Sequence, residues 1–215
     1  MSIDGYIDDT SGHRLILSNA ADFNAVDQLR SDSDAILVGA GTIRADNPKL
    51  LVRSKDRQSA RVRAGMPPHP MKATLTSTGE FDPAALFFQI GDCPKIVYCP
   101  ATVVSSAERV LQGLATVVSA GDSDIDPARI LDDLSSRGIK RLLIEGGSTV
   151  NSLFLTHGLV DELRVCIAPF FVGEDAAPRF VRAGQFLHDV TNRMFLSSVT
   201  SSGDCAVLKY QLERK

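Results

Sequence analysis

Apolar positions along the chain follow two periods. Short apolar runs at 34–39 (Asp34-Ala35-Ile36-Leu37-Val38-Gly39), 72–77, 95–98, 115–118 and 142–144 are closed by small or polar residues. Strands of a parallel sheet covered on both faces have this character. Between them, apolar residues fall three and four apart: Phe23, Val26 and Leu29; Val104, Ala107, Val110 and Leu111; Ile130, Leu131 and Leu134; Val150, Leu153 and Phe154. That spacing places each set on one face of a helix. Terminal signals agree with it. Ser18 or Asn19 can cap the first helix, whose last turn carries Arg30, and Asp126-Pro127 opens the third, with Gly138 as its stop. Ser148 or Thr149 can cap the fourth, which Gly158 ends. A strand at 163–168 stops at Pro169, and strands at 195–200 and 206–212 flank Ser201-Ser202-Gly203-Asp204 as a hairpin. The order predicts an α/β fold: a mixed, mainly parallel sheet with helices on both faces and a C-terminal antiparallel hairpin, in one domain over 1–215.

Two glycine turns follow strands of this pattern. After 142–144 the chain reads Glu145-Gly146-Gly147-Ser148-Thr149 and enters a helix. Glycines at a helix start leave backbone N–H groups open, with the positive end of the helix dipole behind them, so an anion fits there. Glu145 then stands at the carboxyl end of a strand, where open α/β sheets place their chemistry; the plain alternative is a solvated connection with glycines kept for tightness. After 34–39 comes Gly39-Ala40-Gly41-Thr42-Ile43-Arg44-Ala45-Asp46, half of a nucleotide-binding turn. Arg44 stands where the dinucleotide fingerprint needs its third glycine, and the Gly-Lys of a P-loop is absent, so a standard Rossmann site is disfavoured. The two glycines, the Thr42 hydroxyl and the Asp46 carboxylate can still meet a pyrophosphate or a ribose. Asn47-Pro48 breaks the structure, and a basic loop follows with Lys55, Arg57, Arg61 and Arg63. Arg53, at the end of Leu50-Leu51-Val52, has the planar fork that suits a phosphate.

Composition narrows the partners. With 44% hydrophobic and 23% charged residues the chain is globular, and its net charge of −3 argues against nucleic acid or an anionic membrane. No apolar run approaches the ~20 residues of a membrane span, and Met1-Ser2-Ile3-Asp4-Gly5 shows no secretory pattern, so a cytoplasmic protein is expected. Cys93, Cys99, Cys166 and Cys205 read as buried thiols, and the scattered His13, His69, His157 and His188 show no zinc spacing. A small molecule is the expected partner, and no metal is.

Several segments together resemble the reductase domain of the riboflavin-biosynthesis deaminase-reductases. They are Ser2-Ile3-Asp4-Gly5, the Leu29-Arg30 helix end, 35–42, Asp46-Asn47-Pro48-Lys49-Leu50 with Arg53, Ile144-Glu145-Gly146-Gly147, and Leu159-Val160-Asp161-Glu162 continuing to Ile167-Ala168-Pro169. The resemblance implies a dihydrofolate reductase-like three-layer sandwich and an NADPH-dependent reduction. Hydride goes to ribose C1′ of a phosphoribosylamino-uracil or a close pyrimidine relative, through an open-chain imine, to give the ribityl chain. It assigns Gly41, Thr42, Asp46, Ser77, Gly146, Gly147, Ser148 and Thr149 to the cofactor, and Arg30, Leu50, Arg53 and Glu145 to the substrate. Glu145 and then Asp46 are the candidates for orienting the substrate or relaying its proton, and a homodimer is implied.

Three features depart from that family. Its members carry a strand before Ser-Ile-Asp-Gly, whereas Met1 stands directly before that segment here, so the expectation is either a true start upstream or a sheet and cofactor pocket that lose one wall. Arg14 and Ile16 replace a small polar residue and an aromatic, and the zinc signature of the deaminase half is missing. A reductase of another heterocycle, or a non-catalytic NADP-binding relative, is the alternative expectation.

Overall fold

The structure, a computed structural model, describes residues 1–13 and 15–213. Arg14 lies outside the described residues. The chain forms two compact units, a central one from residues 26–146 and a terminal one from residues 1–25 and 147–215.

The central unit carries five parallel strands, β1 (Ala35–Gly39), β2 (Met71–Leu75), β3 (Lys95–Cys99), β4 (Thr116–Ser119) and β5 (Leu142–Ile144), in the order β4-β3-β2-β1-β5. Helices α1 (Ala20–Ser31, its second half in this unit), α2 (Ala40–Asp46), α3 (Lys55–Arg63), α4 (Leu86–Gln89), α5 (Val104–Leu111) and α6 (Pro127–Ser136) alternate with them. Ile36, Val38, Ile43, Leu50, Phe87, Phe88, Val97 and Leu111 close a common core. The start of α6 is as the sequence predicts: Asp126 accepts from the Ala128 N–H, and Pro127 fills the first turn, where its missing donor costs nothing.

Two expectations for this unit change. Residues 55–63 form helix α3 and not a basic loop. The Ser54 hydroxyl accepts from the Arg57 N–H, Asp56 lies in the first turn, and Arg61 and Arg63 lie in the last, so both ends suit the helix dipole. Its buried side chain is Arg61, whose guanidinium caps the carbonyls of Ser31, Ser33 and Pro67 at 2.6–2.8 Å. Strand β5 is half-buried, because it is the sheet's edge strand and pairs only with β1. An apolar triplet reads alike at an edge and in the middle of a sheet.

The terminal unit holds α7 (Ser148–Thr156) and an antiparallel sheet with β8 (Cys205–Gln211) between β6 (Glu162–Ile167) and β7 (Phe195–Ser202). The hairpin turns at Gly203, whose φ of 61° favours glycine and where a Cβ would stand 2.5 Å from the Asn19 amide. Asn19 also accepts from the Asp22 N–H, as the predicted cap of α1, and donates to the Ser202 carbonyl at 2.6 Å. Ser2 donates to Asp4, which accepts from the N–H groups of Val172 and Gly173; the Ser-Ile-Asp-Gly segment is thus a latch on the loop after β6. All four cysteines are free thiols; Cys99 and Cys205 are buried, and Cys93 and Cys166 are half-buried. Ile16 is exposed. Among the described residues, no helix is long and apolar enough to cross a membrane.

Candidate active site

Within the central unit, Glu145 with Gly146 follows β5 and Gly41 follows β1 at the carboxyl edge of the parallel sheet, where open α/β sheets bind ligands. The Glu145 N–H donates to the Leu37 carbonyl at 2.9 Å, and the Gly39 N–H donates to the Gly146 carbonyl at 3.3 Å. These bonds lay the turn after β5 against the start of α2. Gly146 has a φ of 89°, a conformation that favours glycine. Ser77, exposed, follows β2 on the other side of β1.

Glu145 is held by Arg30, from the last turn of α1. Arg30 Nε meets Oε1 and its terminal nitrogen meets Oε2, both at 2.6 Å, and the other terminal nitrogen donates to the Leu51 carbonyl at 3.3 Å. The two side chains are 13% and 17% exposed, so solvent screens this fork-to-fork pair only partly. Burial alone would lower the Arg30 pKa; the hydrogen bonds and charge of Glu145 outweigh it and hold it above its ordinary value.

At the start of α2, Gly41 has no positive φ, and a Cβ there would meet nothing within 4 Å. Neither backbone strain nor protein packing therefore calls for glycine, while glycine inside a helix costs roughly 1 kcal/mol against alanine. The backbone there is open on the side where a Cβ would stand. Thr42 and Asp46, four apart, share one face of α2, but Asp46 ends the helix, about 7 Å along the axis from Gly41. Leu50 is 3% exposed and adopts a φ of 49°, unusual for a side chain of its size. Arg53 is exposed, and its backbone N–H donates to Asp27.

In the terminal unit, Gly147 is the N-cap of α7, with a φ of 94° and no side-chain cap. Ser148 and Thr149, expected as caps, are the first two helical residues. The Ser148 hydroxyl donates instead to the Arg179 carbonyl. A helix start without a side-chain cap has N–H groups to offer an anion.

Two polar residues escaped the sequence. Asp27 is 4% exposed and stands three before Arg30 on α1, a spacing that puts both on one helix face and is the signal that was available. Lys72, in β2, is fully buried; its Nζ donates to the carbonyls of Phe87 at 3.0 Å and Ile90 at 2.6 Å. Burial, the main cause, pushes its pKa down to about 8. A cleft of about 180 Å³ beside α2, lined by Ile43, Arg44, Asn47, Phe81, Asp82 and Ala85, contains none of the candidate residues.

Residues 1–207 match the model of the family described as the RibD C-terminal domain. The chain is 32% identical over 186 residues to the 2,5-diamino-6-ribosylamino-4(3H)-pyrimidinone 5′-phosphate reductase of Archaeoglobus fulgidus, covering 86% of this chain and 84% of that one. The reductase of the same name from Methanothermobacter thermautotrophicus is 33% identical over 217 residues, covering 99% of this chain and 95% of that one. Among solved structures, a pyrimidine reductase-like protein of Corynebacterium diphtheriae superposes with a TM-score of 0.81 at 27% identity, over 100% of this chain and 90% of the other. The bifunctional deaminase and reductase of Thermotoga maritima superposes with a TM-score of 0.74 at 25% identity, over 99% of this chain and 54% of the other. The fold is accordingly the dihydrofolate reductase-like α/β fold of such reductases.

Proposed function

The chain belongs to the RibD C-terminal domain family, and on that footing we propose that it is the pyrimidine reductase that its relatives' names describe, acting in riboflavin biosynthesis. It reduces the ribose of a phosphorylated ribosylamino-pyrimidine to a ribityl chain, with NADPH as the reductant. The observation that carries this is the Arg30–Glu145 pair at the end of β5, on the sheet edge that also presents the bare backbone of Gly41.

To NADPH we assign Gly41, Thr42, Asp46, Ser77 and Gly146 in the central unit, and the uncapped helix start at Gly147, Ser148 and Thr149 in the terminal unit. The open backbone at Gly41 fits a ligand pressed against it. When bound, the nicotinamide supplies the hydride; the chain's own work is to orient the substrate and exclude water. To the substrate we assign Arg30, Leu50, Arg53 and Glu145, with Arg53 on the phosphate. Both Glu145 oxygens already accept from Arg30, and a carboxylate keeps further lone pairs for a substrate hydroxyl or N–H. Orientation is therefore the role its geometry favours, with Asp46 the second candidate for moving the proton. A cytoplasmic homodimer, with residues 1–215 acting as one domain, completes the proposal; the family model spans both units.

The test is oxidation of NADPH by the purified chain with and without the phosphoribosylamino-pyrimidine, against Glu145→Gln. Substrate-dependent oxidation that the variant loses supports the proposal. NADPH binding without oxidation on any such pyrimidine refutes it, in favour of another heterocycle or a silent binder.

A further inference from the structure

Residues 47–54 form no helix or strand, yet they carry Leu50 and Arg53. Three observations say what holds them. Asn47 ends α2 as a left-handed C-cap with a φ of 42°, which Asn tolerates, whereas the φ of 49° at Leu50 is costly for its side chain. Arg30 Nη donates to the Leu51 carbonyl. The buried Asp27 carboxylate accepts from the Arg53 N–H, from the Ser54 N–H at 3.1 Å, and from Arg57 at 2.8 Å. Burial alone would raise the Asp27 pKa, but the bonds from Arg53, Arg57 and Ser54 outweigh it and hold it below the ordinary carboxylate value.

Asp27 therefore grips the backbone of Arg53 from beneath. The Arg57 guanidinium is held by the same carboxylate and by Gln28, each at 2.8 Å.

We propose that Asp27 is a positioning residue for phosphate recognition: by holding the N–H groups of Arg53 and Ser54 and the Arg57 guanidinium, it fixes the backbone from which the Arg53 side chain meets the phosphate. This rests on the assignment of Arg53 to the phosphate.

The experiment compares KM for the phosphorylated substrate with KM for the same compound after removal of its phosphate, in wild type, Arg53→Ala, Asp27→Asn and the double variant. Arg53→Ala is expected to collapse the preference for the phosphorylated compound by about tenfold or more, the loss of one charge-assisted contact. Asp27→Asn is expected to reduce that preference severalfold, leave KM for NADPH unchanged, and add no more than about twofold in the double variant. A merely structural role would raise both KM values or lower kcat alike for the two compounds, leave their ratio unchanged and add in the double variant, which overturns the proposal. If Arg53→Ala collapses the preference and Asp27→Asn keeps it, Asp27 alone is refuted. If Arg53→Ala keeps it, the phosphate assignment falls and the proposal falls with it. Should Asp27→Asn not fold, Arg57→Ala removes one of the three ties to the same carboxylate. It must then give an intermediate preference, and an unchanged one overturns the proposal.

Discussion

Replacing Arg30 with methionine keeps an apolar stem of similar length and removes the guanidinium. Three hydrogen bonds go with it, two to Glu145 at 2.6 Å and one to the Leu51 carbonyl at 3.3 Å. Fully exposed ion pairs are worth roughly 0.2–1 kcal/mol, whereas breaking a buried one costs about 3–5 kcal/mol, because the surviving charge is left unpaired. With side chains 13% and 17% exposed, the pair lies nearer the buried limit, but water can reach the orphaned carboxylate. A loss of about 2–3 kcal/mol follows, which for a chain of this size lowers Tm by roughly 4–12 °C.

The assay is thermal unfolding of wild type, Arg30→Met, Glu145→Gln and the double variant. If the pair acts as one unit, the double variant is little worse than the worse single one, and the cycle gives a coupling of at least about 1 kcal/mol. Additivity within about 0.5 kcal/mol would mean that the two residues contribute independently, and would refute the account of Glu145 as a carboxylate fixed by Arg30.

Gly41→Ala should raise Tm by about 2–4 °C, since alanine is the better helix former by roughly 1 kcal/mol and its Cβ meets nothing, while weakening NADPH binding severalfold in a titration; unchanged affinity would remove Gly41 from the cofactor site. For Lys72 the sign is set by a folded pKa of about 8 against 10.5 unfolded: between those values the unfolded chain binds more protons, so stability rises with pH across that window, by about 3 kcal/mol in all. Denaturant titrations at several pH values should show that rise in wild type and its loss in Lys72→Met; parallel curves would contradict it.

How legible each element was depends on what buries it. Strands β1 and β3 and helices α5 and α6 bury apolar side chains, so periodicity finds them. Helix α3 buries an arginine, used to cap carbonyls that lie far away in sequence, and its apolar residues, Ala60 and Val62, are two apart and form no stripe to betray it. Lys72 escaped for a similar reason. A lysine in a strand reads as facing water, but the carbonyls of Phe87 and Ile90 at the end of α4 supply partners inside. At the sheet edge, the turn of Glu145 and Gly146 was legible because a carboxylate and glycines closing an apolar run are local signals, whereas Gly41, read as part of a turn, lies in helix α2, which starts directly after β1. The partners of Glu145 and Arg53 were not, because they come from α1, 115 and 26 residues away.

That common origin on α1 has a physical consequence. Asp27 and Arg30 are three residues apart, about 4.5 Å along a helix, and between them they hold the Leu51 carbonyl and the N–H groups of Arg53 and Ser54. The irregular segment 47–54 has no strand ladder to fix it, so its geometry is set by the pitch of the neighbouring helix. Arg30 also fixes Glu145, which places a carboxylate on the sheet edge and an arginine outside it under one rigid reference. A helix gives a more precise mount than a loop, because its own hydrogen bonds resist the displacement of either side chain. Under the proposed assignment of Glu145 and Arg53 to the substrate, one helix would set the spacing of the groups that meet its two ends, and such positioning is where a hydride transfer gains most of its rate.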